Sequence, residues 1–170
     1  MRALRRTSGP GLAVAPGERA LAWCRTEEGQ TLVGTRDALY VGREGSDDAA
    51  TRIPWERVEA ADWDNETDVL RVSLVGGWGE QRVEHEVGLV EPGRLLELVR
   101  ERITASVVLQ RHVAIRGKRG VRVIARRATA GRRELSWLFE YDEGIDPADP
   151  FVELAAREAL GAAQNEVGEN

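Results

Sequence analysis

Residues 83–107 read Val83-Glu84-His85-Glu86-Val87-Gly88-Leu89-Val90-Glu91-Pro92-Gly93-Arg94-Leu95-Leu96-Glu97-Leu98-Val99-Arg100-Glu101-Arg102-Ile103-Thr104-Ala105-Ser106-Val107, and the period changes inside them. As far as Leu89 the pattern alternates, with Val83, His85, Val87 and Leu89 on one side. That is the mark of a half-buried antiparallel strand. From Leu95 the apolar residues Leu95, Leu96, Val99, Ile103 and Val107 recur every three or four positions, as one stripe of an amphipathic helix. Pro92 suits the first helical position. Thr104, Val107 and Val108 are β-branched and lower helix propensity, so the helix is expected to end near 107.

Upstream, short strands alternate with turns. Pro16-Gly17-Glu18 leads into 20–25, Glu27-Glu28-Gly29 into 31–35, and Arg36-Asp37 into Ala38-Leu39-Tyr40-Val41. An exposed loop over 42–50 precedes Thr51-Arg52-Ile53-Pro54-Trp55. Pro54 has no amide to donate, which makes this an edge strand or a bulge. Leu70, Val72 and Leu74 alternate after the turn Asp64-Asn65-Glu66-Thr67-Asp68. Downstream of the helix, strands are expected at 110–116, 121–126 and 133–141. In the last, Leu135, Trp137, Phe139 and Tyr141 share one face. Asp149-Pro150 is helix-start chemistry, and Val152, Ala155, Ala156, Ala159, Leu160 and Ala163 form a shallow stripe. Gly161 and the polar tail from Gln164 suggest fraying. Strands, helix, strands, helix is an α+β order rather than alternating α/β units.

Three stretches carry the resemblance to a known family. Pro16-Gly17-Glu18-Arg19-Ala20-Leu21, then Leu32-Val33-Gly34-Thr35-Arg36-Asp37-Ala38-Leu39-Tyr40-Val41, are followed by Arg52-Ile53-Pro54-Trp55-Glu56-Arg57-Val58. This pattern resembles the bacterial PH-like domains over roughly residues 16–108. The chain is also similar to a group of uncharacterised actinobacterial proteins. The resemblance implies an antiparallel β-barrel or sandwich capped by a helix over 16–108. A flexible arm over 1–15 would precede it, and an appended β-hairpin unit with a C-terminal helix over 109–170 would pack on it. It implies a binding or scaffolding module, since a fold of this kind does not fix a reaction.

The composition is globular: 170 residues, 42% hydrophobic, 31% charged, net charge −5. No apolar run approaches the ~20 residues that span a bilayer. Thr7-Ser8-Gly9-Pro10-Gly11 interrupts the basic start where a signal peptide would be apolar. The expected location is cytoplasmic. Cys24 is the lone cysteine and is expected to be a buried, inert thiol.

Charge is segregated. Residues 111–133 hold nine basic residues and no acidic one, while 134–170 hold ten acidic residues against Arg157 alone. A free basic β-surface of Arg111, Arg116, Lys118, Arg119, Arg122 and Arg126 suits RNA or single-stranded DNA. The competing reading is self-neutralisation, with Glu134 and Glu140 opposite Arg126 and Arg122 across neighbouring strands. Likewise Trp137, Phe139 and Tyr141 suit a core beneath a helix as well as a stacking platform.

Other candidates are thinner. Gly76-Gly77-Trp78-Gly79 lacks the helix and lysine of a phosphate loop, which leaves Trp78 as a contact residue on a hairpin connection. The alternation puts His85 on the apolar side, away from Glu84 and Glu86. His112 opens a strand, and no zinc spacing exists. Asp62, Asp64, Glu66 and Asp68 read as a solvated hairpin rather than a calcium loop. No cofactor is expected. The loop Thr26-Glu27-Glu28-Gly29 is acidic and unsuited to a phosphorylated lipid headgroup, so membrane binding is not expected.

Three functional readings follow. The first is a non-catalytic protein-interaction or scaffolding module, with an unknown protein or a second copy as partner. The second is a nucleic-acid-binding protein using 111–133. The third is an enzyme, which requires a deep pocket with convergent groups such as His85 or His112.

Overall fold

A computed structural model of the chain describes residues 9–75, 83–128 and 134–168. Seven strands form one antiparallel sheet: β1 (Ala22–Thr26), β2 (Thr31–Gly34), β3 (Ala38–Gly42), β4 (Thr51–Pro54), β5 (Val58–Asp64), β6 (Val69–Leu74) and β7 (Val83–Val90). Their order is β4-β3-β2-β1-β7-β6-β5. Helix α1 (Leu95–Ser106) follows, then strands β8 (Val107–Arg116), β9 (Arg119–Arg127) and β10 (Leu135–Tyr141), and helix α2 (Pro150–Val167). The last three strands make a second antiparallel sheet, β10-β9-β8. The chain is α+β, as the element order in the sequence implies.

The expected barrel is not closed among the described residues. β4 and β5 end the seven-stranded order and are joined by a single 3-10 turn at Trp55–Arg57. β1 and β7 pair only at Arg25–Val90 and Thr26–Leu89. Beyond Val90 the backbone turns through Glu91 (φ 49°) and Gly93 (φ 51°), so the ladder stops and the chain enters α1. Pro92 therefore stands in this turn, where its carbonyl accepts from the Leu95 amide, and not at the first helical position.

Alternation sorts the first four strands into two faces. The inner row is Cys24, Leu32 and Val41; the outer row is Trp23, Val33, Tyr40 and Arg52. The inner face builds the main core, in which Leu32, Leu39, Trp55, Val58, Leu70, Val72 and Leu89 pack against Leu95 and Val99 of α1. Burying one such side chain is worth about 1.5–3 kcal/mol. α1 approaches β2 closely because Gly34 has no side chain: a Cβ there would stand 2.5 Å from Leu98 Cδ2. The outer face is covered by residues the sequence assigns to a flexible arm. Leu12, Val14 and Ala15 pack on Val33, Ala38 and Tyr40, which fixes the described end of that arm to the sheet.

The second sheet carries α2 on one face. Val123, Ala159 and Ala163 form its core, with Leu109, Val113, Trp137, Phe139 and Leu160 packed around them. Of the aromatic strand face, Trp137 and Phe139 thus pack half-buried at the margin of the core beneath α2. α2 starts where the sequence indicates: Pro150 opens it, and the Asp149 carboxylate accepts from the Phe151 amide at 2.9 Å. It continues through Gly161 and Gln164, where the sequence suggests fraying, to Val167 and ends at Gly168 in the left-handed conformation.

Candidate functional site

β8 and β9 carry the basic residues of the candidate nucleic-acid surface, and the fold disperses them. Arg111 pairs with Val123 across the ladder and lies on the α2 face. Arg122, Ile124 and Arg126 alternate onto the opposite face. Arg116 and Arg119 pair at the hairpin end, beside the exposed Lys118. These side chains do not form one surface.

Most are bonded to the acidic half of the chain. Arg111 meets Glu166 of α2 at 3.1 Å, Arg116 meets Asp149 at 2.6 Å, and Arg122 meets Glu140 across the ladder at 2.8 Å. Arg119 donates to the Glu143 carbonyl at 3.2 Å. Asp149 does two things at once, capping α2 with one oxygen and holding Arg116 with the other. His112 and the Gly120 amide both bond Asp142 Oδ2, at 2.8 and 2.7 Å. Those two contacts hold the Asp142 carboxyl below its ordinary range. Gly120 is required there, because a Cβ would sit 1.9 Å from the Val113 carbonyl oxygen.

Arg126 is a correction. It is no surface contact: the residue is 3% exposed. Its guanidinium donates to the carbonyls of Val58 at 2.5 Å and Glu59 at 2.6 Å, and to Ser106 Oγ at 3.2 Å. The β5–β6 register shifts between Val58 and Ala60, and Arg126 takes up carbonyls at that irregularity. It does not face Glu134 either; its ladder partner on β10 is Ser136. Burial draws its pKa down, opposed by Glu59 and Glu140. Arg126 therefore ties the second sheet to the first.

The remaining candidates do not converge. Trp78 lies outside the described residues. His85 is opposite Val72, on the core side as the alternation indicates, but is exposed, because the first half of β7 runs beyond its short pairing with β1. His112 is on the other sheet, so the two histidines are not brought together. Asp64 Oδ1 accepts from the amides of Glu66 at 2.8 Å and Thr67 at 3.4 Å, the bonds of a hairpin turn. A shallow depression of about 400 Å³ beside it is lined by Asp62, Trp63, Thr67, Arg71 and Glu86. Arg71 and Glu86 are paired within it at 2.8 Å. No group of three or more His, Cys, Asp or Glu side chains suited to a metal ion occurs among the described residues. Cys24 is buried, and burial pushes its thiol up to about 11.

The residues that carry the family resemblance form one bonded network. Arg52 reaches Glu18 at 2.7 Å and the Tyr40 hydroxyl at 3.0 Å, and Thr35 Oγ1 donates to Glu18. The Trp55 indole donates to the Thr35 carbonyl at 3.0 Å, and the Ala15 amide donates to Tyr40. Burial alone would raise the Glu18 pKa, but its bonds from Thr35, Arg52 and Tyr40 outweigh that and hold it low. In this chain the pattern is one of structure, tying the leading segment to β2, β3 and β4.

Sequence reading misses one feature. Phe151 and Leu154 are 64% and 55% exposed, three residues apart on α2. At 100° per residue they fall off the stripe of Val152, Ala156, Ala159 and Ala163, and that offset was the available signal. No helix among the described residues is long and apolar enough to cross a membrane. No protein-family model, curated protein or solved structure matches the chain.

Proposed function

We propose that the chain is a protein-interaction module whose partner docks on the outer face of α2. The observation that carries this reading is the exposed pair Phe151 and Leu154 on one turn of a well-capped helix. Residues three apart on a helix are neighbours, so the two make a single apolar patch. A rigid helix presenting an aromatic and an aliphatic anchor is a common way of binding another protein. A PH-like identity for 16–108 and membership of the actinobacterial group belong to the same reading. Four strands, then three, then α1 are in keeping with that fold. The reading includes a cytoplasmic location, which a lone buried thiol suits.

The nucleic-acid reading is disfavoured by the pairing of Arg111, Arg116 and Arg122 with carboxylates of the same chain. A photo-crosslinking residue placed at 151, in the cell that makes the protein, tests the proposal. A discrete protein adduct is expected there and none from the same residue at 46, an exposed loop position. In parallel, single-stranded RNA and duplex DNA are titrated at low and moderate salt. Salt-sensitive binding that is lost on changing Arg116, Lys118, Arg119 and Arg122 to alanine would replace the protein reading with the nucleic-acid one.

A further inference from the structure

We infer that β10 is a self-association edge, at which a second copy of this chain adds its own β10 antiparallel to the first. The contact lies on a different surface from α2 and does not depend on it. It would join two three-stranded sheets into one of six strands.

The four sheet ends differ in how they are protected. An open edge templates pairing with another chain unless it is short, charged, bulged or carries proline. β4 has four residues and ends in Pro54. β5 shifts register between Val58 and Ala60, where Arg126 takes the Val58 and Glu59 carbonyls. β8 shifts register twice, between Val107 and Leu109 and between Ala114 and Arg116. Among the described residues β10 has none of these devices. It pairs with β9 through all seven residues without a shift, and it stands last in its sheet. Its sequence, Leu135-Ser136-Trp137-Leu138-Phe139-Glu140-Tyr141, contains no proline, lysine or arginine. Its one charge, Glu140, is engaged by Arg122.

The same sequence complements itself about Leu138. A two-fold axis there sets Leu138 opposite Leu138 of the second copy, Trp137 opposite Phe139, Ser136 opposite Glu140 and Leu135 opposite Tyr141. Aromatic residues directly opposite each other stabilise antiparallel pairs, and no like charges meet within the strand. A two-fold contact of this kind uses one patch on both copies and closes on itself. The helix does not obstruct it, since α2 packs chiefly over β8 and β9 and leaves β10 at the rim.

The test uses the full chain in sedimentation velocity over a concentration series. Wild type is expected to show a monomer–dimer equilibrium. Ser136→Glu places a carboxylate opposite Glu140 of the second copy, twice by symmetry, and is expected to weaken association by about tenfold or more. Within one chain residue 136 stands opposite Arg126, so circular dichroism and the urea midpoint are measured alongside to establish that the variant keeps its fold. Should that variant not fold, Leu138→Cys decides the matter: the two-fold axis predicts a covalent dimer under mild oxidation, and none from Ser46→Cys. A wild type that stays monomeric at every concentration overturns the inference. So does a dimer that Ser136→Glu leaves intact, or one abolished instead by Phe151→Glu with Leu154→Glu.

Discussion

The two sheets solve the same problem with different material. The seven-stranded sheet buries large side chains: Trp55, Leu32, Leu39, Leu70 and Leu95 are all under 2% exposed. In the three-stranded sheet and α2 the side chains buried to that degree are valine and alanine, among them Val121, Val123, Ala125, Ala156 and Ala163, with Ile124 and Leu138 at 4% and 6%. Around that thin core stand Arg111–Glu166, Arg116–Asp149, Arg122–Glu140 and His112–Asp142. Exposed ion pairs contribute only about 0.2–1 kcal/mol each. The pairs therefore position α2 and the loop after β10 more than they stabilise them. Among the described residues the buried Arg126 ties the smaller region to the larger.

Trp55→Ala breaks this contrast at its strongest point. Removing a fully buried tryptophan costs about 3–5 kcal/mol, and both regions should unfold together in urea. A loss confined to the signal of β8–β10 would put the main core elsewhere.

Arg126→Met comes next. It removes the bonds to the Val58 and Glu59 carbonyls, and a buried group such as the Val58 carbonyl left unbonded costs about 1–3 kcal/mol. Hydrogen exchange should accelerate in β8, β9 and β10 far more than in β2 and β3. Uniform acceleration would mean that the two sheets unfold as one unit without this tie.

Acid should act on both regions through different carboxylates. Glu18 and Asp142 both have folded pKa values below their ordinary ones. The unfolded chain then binds protons first, so the stability they contribute is complete above the ordinary carboxylate range. It is lost as pH falls through that range toward the folded values. Urea midpoints followed from about pH 6 to about pH 3 should fall, and Glu18→Gln and Asp142→Asn should each flatten part of the slope. An unchanged slope in Asp142→Asn would show that its bonds to His112 and Gly120 do not persist in solution.

The smallest effect is that of Arg122 and Glu140. A double-mutant cycle to alanine should return about 0.2–1 kcal/mol of coupling, decreasing with salt. A coupling near zero would reduce this cross-strand pair to geometry alone.

Much of this was legible in order and period. Alternation along 83–89 and three-to-four spacing along 95–107 give strand and helix, because each period follows from the backbone repeat itself. Asp149-Pro150 marks the start of α2 because the capping chemistry is local. Pro54 indicates an edge, and β4 is one. The Arg122–Glu140 pair was legible as one of two candidates, since register decides which charges meet. The other candidate failed: Arg126 faces Ser136 and reaches back to Val58 and Glu59. No feature of residues 121–127 shows that Arg126 is buried while Arg122 is half-buried and Arg127 exposed.

What the sequence by itself determined, then, is the kind and order of the elements and the separation of basic and acidic segments. Those depend on side-chain periodicity and on residues within a few positions of one another. Only the tertiary structure decided that the seven-stranded sheet stays open and that residues 12–15 are held on its outer face. It alone decided that Arg126 is a tie between sheets, and that Phe151 and Leu154 rather than the arginines stand free. Each of these depends on which groups, distant in sequence, come within hydrogen-bond or van der Waals reach, a distance that folding sets and local pattern does not encode.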